Sequence, residues 1–153
     1  MTKALPLFTI GYEQVSSNAV LDALSRAGVG LLVDVRAVAA SRRAGFSKNA
    51  LAAGVQSRDI SYLHLRGLGT PADGRHAARS GHYDEMRRIF EAHLETPAAQ
   101  EQLDELTQIV KSGRPVCLLC FERHPEHCHR MIIAELICER VGVEVEHLAA
   151  DPV

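Results

Sequence analysis

No stretch of about 18 apolar residues occurs in this chain, so the sequence holds no candidate membrane span. The N-terminal residues lack the basic region and apolar block of a signal peptide, and the expected compartment is therefore the cytoplasm. Charge of one sign is also missing: the net charge is −2, which argues against broad nucleic-acid coating but leaves room for a local basic face. Internal repeats, linkers and low-complexity tracts are absent. So are the Walker loop and the dinucleotide glycine fingerprint, and no cofactor is expected. Only four cysteines are present, which in a reducing compartment are expected to be mostly thiols. Cys117 and Cys138 sit in apolar runs and read as core residues.

At 153 residues, 46% hydrophobic and 24% charged, the chain reads as a single domain with its core over about 7–148. Residues 36–66 carry Arg36, Arg42, Arg43, Lys48, Arg58 and Arg66 against Asp59 alone. Residues 84–105 are predominantly acidic. Two solvated helix faces of opposite sign account for this as well as a functional basic face does.

Apolar patterning predicts strands at Leu7–Gly11, Leu31–Val35, Ile60–His64, Pro115–Cys120 and Val143–His147. Helices are predicted from Ser16 or Ser17 to about Ala27, after Ser47 through Leu51 and Val55, over Tyr83–Leu94, from Pro97 to about Ser112, and from Cys128 or His129 to Val141. Residues 66–82, rich in glycine, read as one long loop of the kind that serves as a lid or binding segment. The last residues are expected to fray. Strand alternating with helix predicts an α/β fold: a three-layer arrangement with a mostly parallel five-stranded sheet and helices on both faces. Such sheets bind ligands beyond the carboxyl ends of their strands. Tyr12, Glu13, Asp34, Arg36, His64, Cys120, Glu122 and His147 fall at that edge.

The densest chemistry lies between Cys120 and Arg130, where an apolar run gives way to two Cys, three His, two Glu and two Arg. Loops held on a rigid scaffold are where such groups usually act. Cys128, at a helix start beside His129 and Arg130, is expected to be an activated thiol, with Cys120 the other candidate. Glu122 is placed to move protons or anchor a ligand, and His129 reads equally as a proton carrier or a helix-capping residue. Arg130 at a helix start opposes the dipole and needs an anion nearby. Cys120, His124, His127, Cys128 and His129 could supply four metal ligands, but the seven-residue gap between the cysteines does not match the usual zinc spacing, so no metal is expected. A Cys120–Cys128 disulfide is a further option.

Asp34 and Arg36, two apart on a strand, face the same side, toward one ligand or toward each other. Arg36 suits phosphate or carboxylate, with Asp34 orienting it or acting on a substrate proton. Ser41, Arg42, Phe46 and Lys48 precede a helix start, where an anion would find amides and cations; Phe46 either stacks on a base or packs inward. Tyr62 and His64 share one face of the third strand, and His64 reads as an acid–base group or a structural histidine.

These blocks together resemble the DUF488 family: Thr9-Ile10-Gly11-Tyr12, Leu32-Val33-Asp34-Val35-Arg36, Ser41-Arg42 with Gly45-Phe46-Ser47-Lys48, Ile60 to Leu65 with Leu68-Gly69, Cys120-Phe121-Glu122 and Cys128-His129-Arg130. The resemblance covers roughly residues 8–148. Where the family usually has proline before the Ser-Arg pair, this chain has Val38-Ala39-Ala40-Ser41, so the loop after the second strand lacks that stiffening. The resemblance implies a compact α/β domain and supplies no reaction. From the residues themselves, the expected activity is that of an enzyme on a phosphate-bearing substrate, a nucleotide or nucleic-acid end. The alternatives are a non-catalytic nucleotide or nucleic-acid binding module and a thiol redox or metal-sensing protein.

Overall fold

Five parallel strands form one sheet in the order β3-β2-β4-β1-β5, in a computed structural model that describes residues 5–150. The strands are β1 (Leu7–Gly11), β2 (Leu31–Asp34), β3 (Ser61–His64), β4 (Val116–Cys120) and β5 (Val145–Leu148). The central strands β1, β2 and β4 are buried along their whole length, which is why they read as unbroken apolar runs rather than as alternating ones. Register pairs Gly11 with Cys120, and Asp34 with both Leu119 and His64, so the polar strand ends meet at one edge. The sheet is wholly parallel, where the sequence predicts a mostly parallel one.

Helices cover both faces. Phe8, Ile10, Leu32, Cys117 and Leu119 pack with α1 (Ser17–Arg26) and α2 (Lys48–Gln56). Leu31, Val33, Val116 and Leu118 pack with α3 (Ala72–Arg79), α4 (Tyr83–Leu94), α5 (Pro97–Lys111) and α6 (His129–Val141). The Ser16 side chain caps α1 by accepting from Ala19 N at 3.1 Å. Thr96 caps α5 with Pro97 at its first position. Ser47 stands at the start of α2 but makes no cap bond; its hydroxyl is turned to Ser41, donating to the carbonyl and accepting from the amide.

The long loop expected over 66–82 is a correction: it contains a 3-10 turn at Arg66–Leu68 and the whole of α3. The buried side of α3 is Gly74 and Ala77, so it carries no large apolar stripe to betray it. A second 3-10 turn, Pro125–His127, leads into α6. Cys117 is fully buried as expected, and Cys138 only partly. The fraying expected at the end falls mainly on residues 151–153, outside the described range. No helix among the described residues is long and apolar enough to cross a membrane.

Candidate functional site

The carboxyl ends of β1, β2 and β4 open into a cleft of about 400 Å³, within the size range of small-molecule sites. Cys120, Glu122, Cys128 and His129 line it, with Tyr12, Arg36 and Ser41 from the neighbouring loops. The other wall comes from Thr70 and from α3, through Arg75 and Arg79. Sequence patterning does not bring these two arginines to the site, because it places them in a loop rather than on a helix. Pro71 directly before Ala72, and the four-residue spacing of Arg75 and Arg79, were the available signals.

Cys120 is the last residue of β4, and Cys128 is the N-cap of α6, its sulfur accepting from Arg130 N at 3.5 Å. Both are buried, and their sulfurs are joined as a disulfide with the Cα atoms 7.3 Å apart. His129 Nε2 lies 2.7 Å from the Val35 carbonyl. A carbonyl only accepts, so Nε2 carries the proton and Nδ1 is bare. That bare nitrogen is 3.6 Å from Cys128 Sγ. Burial brings the His129 pKa down to about 4, against the pull of the Val35 bond, so the ring is neutral.

Arg130 is completely buried. Its Nε donates to Thr9 Oγ1 at 3.1 Å, Nη1 to Cys120 Sγ at 3.2 Å and to the Glu122 carbonyl, and Nη2 to the Arg123 carbonyl at 3.3 Å. Among the described residues no carboxylate makes an ion pair with it. Burial lowers its pKa to about 10. Its fork thus ends on neutral acceptors; the Cys120 sulfur, uncharged in the disulfide, is the one among them that reduction makes able to ionise. Thr9 Oγ1 also shares a hydrogen bond with His147 Nδ1 at the β5 edge. Glu122 lies in the cleft with its pKa raised, chiefly by burial and further by Glu13, against the opposing charges of Arg130 and Arg79.

A second cluster adjoins the first. Arg36 Nε donates to Asp34 Oδ1 at 2.8 Å, and Nη2 to Oδ2 at 2.6 Å. Arg36 Nη1 reaches Tyr12 Oη at 3.1 Å and the Phe46 carbonyl at 2.7 Å. Of the two orientations open to this pair, the structure has the residues facing each other. Tyr62 donates to Asp34 Oδ2, and His64 Nε2 to the Arg36 carbonyl. Burial first, and then the Asp34 charge, raise the Tyr62 pKa. For Arg36 burial pulls down, but the Asp34 bond and charge outweigh it and the net direction is up.

The loop before α2 is spread more widely. Phe46 is buried, stacked on Tyr12 at 4.4 Å between centroids, with Arg43 over it at 4.8 Å. It therefore offers no open face to a base. Ser41 lines the cleft, whereas Arg42 and Lys48 are exposed and stand outside its lining. Of the other histidines, His127 stacks on Tyr83 at 4.0 Å and His124 is exposed. Among the described residues, the one group of three side chains able to share a metal ion is Cys120, Cys128 and His129.

A family model, Domain of unknown function DUF488, matches residues 16–137. No curated protein and no solved structure matches the chain.

Proposed function

The chain belongs to the DUF488 family, whose description names no reaction, and from the site itself we propose a thiol-dependent enzyme acting on a phosphate-bearing molecule, a nucleotide or a nucleic-acid end. One observation carries this reading. Cys128, at a helix N-cap with the bare Nδ1 of His129 3.6 Å from its sulfur, shares a cleft with Glu122 and with Arg75 and Arg79. A thiol at a helix start, with cations nearby, is poised to ionise.

Arg75 and Arg79 draw the phosphate into the cleft, and Ser41 with the Tyr12 ring bounds its opposite side. In the reduced protein the Cys128 thiolate attacks phosphorus. The phosphorus–oxygen bond to the leaving group breaks as the sulfur–phosphorus bond forms. Glu122, whose carboxyl is raised by burial, gives its proton to the leaving oxygen. Water then cleaves the sulfur–phosphorus bond, with Glu122 taking a proton back. The thiol of Cys128 loses its proton to solvent before attack, and His129, neutral and held by Val35, orients the sulfur through its Nδ1. Arg36 is a positioning residue: through Asp34, Tyr12 and Phe46 it shapes the cleft wall.

The test is a screen of nucleotides and phosphomonoesters with the reduced protein and with Cys120→Ser, Cys128→Ser, Glu122→Gln and Arg79→Ala. Turnover that disappears in Cys128→Ser supports the assignment, and turnover unchanged in all four variants rejects it. A second reading, thiol redox chemistry, is favoured by the joined sulfurs of Cys120 and Cys128. It predicts reversible exchange with a dithiol reductant and no phosphoester turnover.

A further inference from the structure

We infer that, in the reduced protein, Cys120, Cys128 and His129 form a site for one soft divalent cation, with Zn²⁺ the best match. Their donor atoms converge from the end of β4 and the start of α6, all within 4.8 Å of one another, and all three residues are buried. The backbone spacing fits a shared ion. The Cα atoms of Cys120 and Cys128 stand 7.3 Å apart, wider than the roughly 4.4–6.8 Å that a direct bond usually spans. An ion at about 2.3 Å from each sulfur lets the two side chains part without moving the main chain.

The surroundings match a metal centre. The second nitrogen of His129 is committed to the Val35 carbonyl at 2.7 Å, which leaves the Nδ1 lone pair on the cysteine side. Metal-bound imidazoles are almost always held in this way. Each sulfur also has an N–H donor: Arg130 N for Cys128 and Arg130 Nη1 for Cys120. Such donors stabilise thiolates. Two thiolates balance a divalent ion, and the Arg130 charge rests on its neutral acceptors, Thr9 Oγ1 and the Glu122 and Arg123 carbonyls. Soft sulfur with one imidazole selects zinc over magnesium or calcium. Three protein ligands leave a fourth position, and because all three residues line the cleft that position opens toward it.

The ion would also engage Cys128, and this consequence, unlike the site, rests on the nucleophile reading above: a loaded centre holds the thiolate out of reaction. Zinc in this role is a brake on the thiol.

The experiment uses untagged, reduced, metal-free protein titrated anaerobically with Co²⁺ and then Zn²⁺. One Co²⁺ per chain, with the near-ultraviolet thiolate band and the visible bands of a tetrahedral ion, is the expected result, with Zn²⁺ displacing it. Native mass spectrometry then shows one zinc less two protons. Because Cys120→Ser and Cys128→Ser could fold poorly, alkylation of the wild type gives a second readout. Zinc should slow iodoacetamide at Cys128 by about tenfold or more while leaving the partly exposed Cys138 unaffected. Absence of bound metal in the reduced protein overturns the site, as does binding of equal strength in both serine variants. Neither measurement needs a substrate. Phosphoester turnover that persists with the centre fully loaded overturns the nucleophile assignment and leaves the site standing.

Discussion

Asp34 and Arg36 close on each other side-on, Nε to Oδ1 at 2.8 Å and Nη2 to Oδ2 at 2.6 Å, at the carboxyl end of β2. Asp34 has no exposure and Arg36 only 6%, so neither charge has water to fall back on. A pair of this kind is weak evidence for net stabilisation, but removing one member strands the other. Asp34→Ala should destabilise the protein by about 3–5 kcal/mol. It should also loosen Tyr12, Phe46 and Tyr62, which share the network. Denaturant unfolding of both proteins checks this, and a loss under about 1 kcal/mol would show that solvent reaches the pair.

The proposed reaction separates two kinds of residue. Cys128→Ser should reduce kcat by about 100-fold or more, since the oxygen is a far poorer nucleophile at neutral pH. Arg79→Ala, which removes a cation that only binds, should raise KM about tenfold with kcat little changed. Steady-state kinetics on whichever phosphoester the screen yields decides it. A fall in kcat alone for Arg79→Ala would move that residue into the chemical step.

Gly11 ends β1 where the chain passes close to Glu122. A Cβ there would overlap the Glu122 carbonyl and stand 3.0 Å from Arg130 Nη1. Gly11→Ala should therefore cost about 1–3 kcal/mol and displace the segment that holds Glu122. Thermal unfolding measures the first effect. Faster alkylation of the reduced Cys120 and Cys128 measures the second.

Acid should weaken the metal-free, reduced protein through His129. Its pKa falls from an ordinary 6.5 to about 4 on folding, chiefly by burial. A depressed folded value means that stability is fully present above the unfolded pKa. It is lost as pH falls from about 6.5 toward 4, because the unfolded chain takes up a proton that the folded one refuses. The total is on the order of 3 kcal/mol. Denaturation midpoints measured from pH 7 to pH 4 should fall accordingly. In His129→Gln that part of the slope should be absent.

The parallel sheet and five of the six α-helices among the described residues are legible because each has a strong local signal. Leu31 to Val33 is apolar throughout, and Thr96-Pro97 marks the start of α5 on its own. Convergence of Asp34, Cys120 and Glu122 at one edge followed from the parallel pattern alone. What stayed hidden depends on partners distant in sequence. Nothing near Arg130 reveals that Thr9, 121 residues away, receives its Nε, or that Val35 fixes the tautomer of His129. The helix α3 escaped because glycine and alanine form its buried side, and with it went Arg75 and Arg79. Phe46 was ambiguous between base stacking and packing; its ring lies buried against Tyr12.

The strand order has a temporal consequence. β4 sits between β2 and β1, so the first three strands cannot form a continuous sheet among themselves. A nascent chain that has emerged only as far as α5 holds a β2–β3 pair and an isolated β1 whose two neighbours, β4 and β5, have yet to emerge. Assembly must therefore wait until β4 is free of the ribosome. The segment that joins the two halves of the sheet, Val116 to Arg130, is the same one that installs the reactive floor, so the thiols emerge together with the strand that closes the cleft around them.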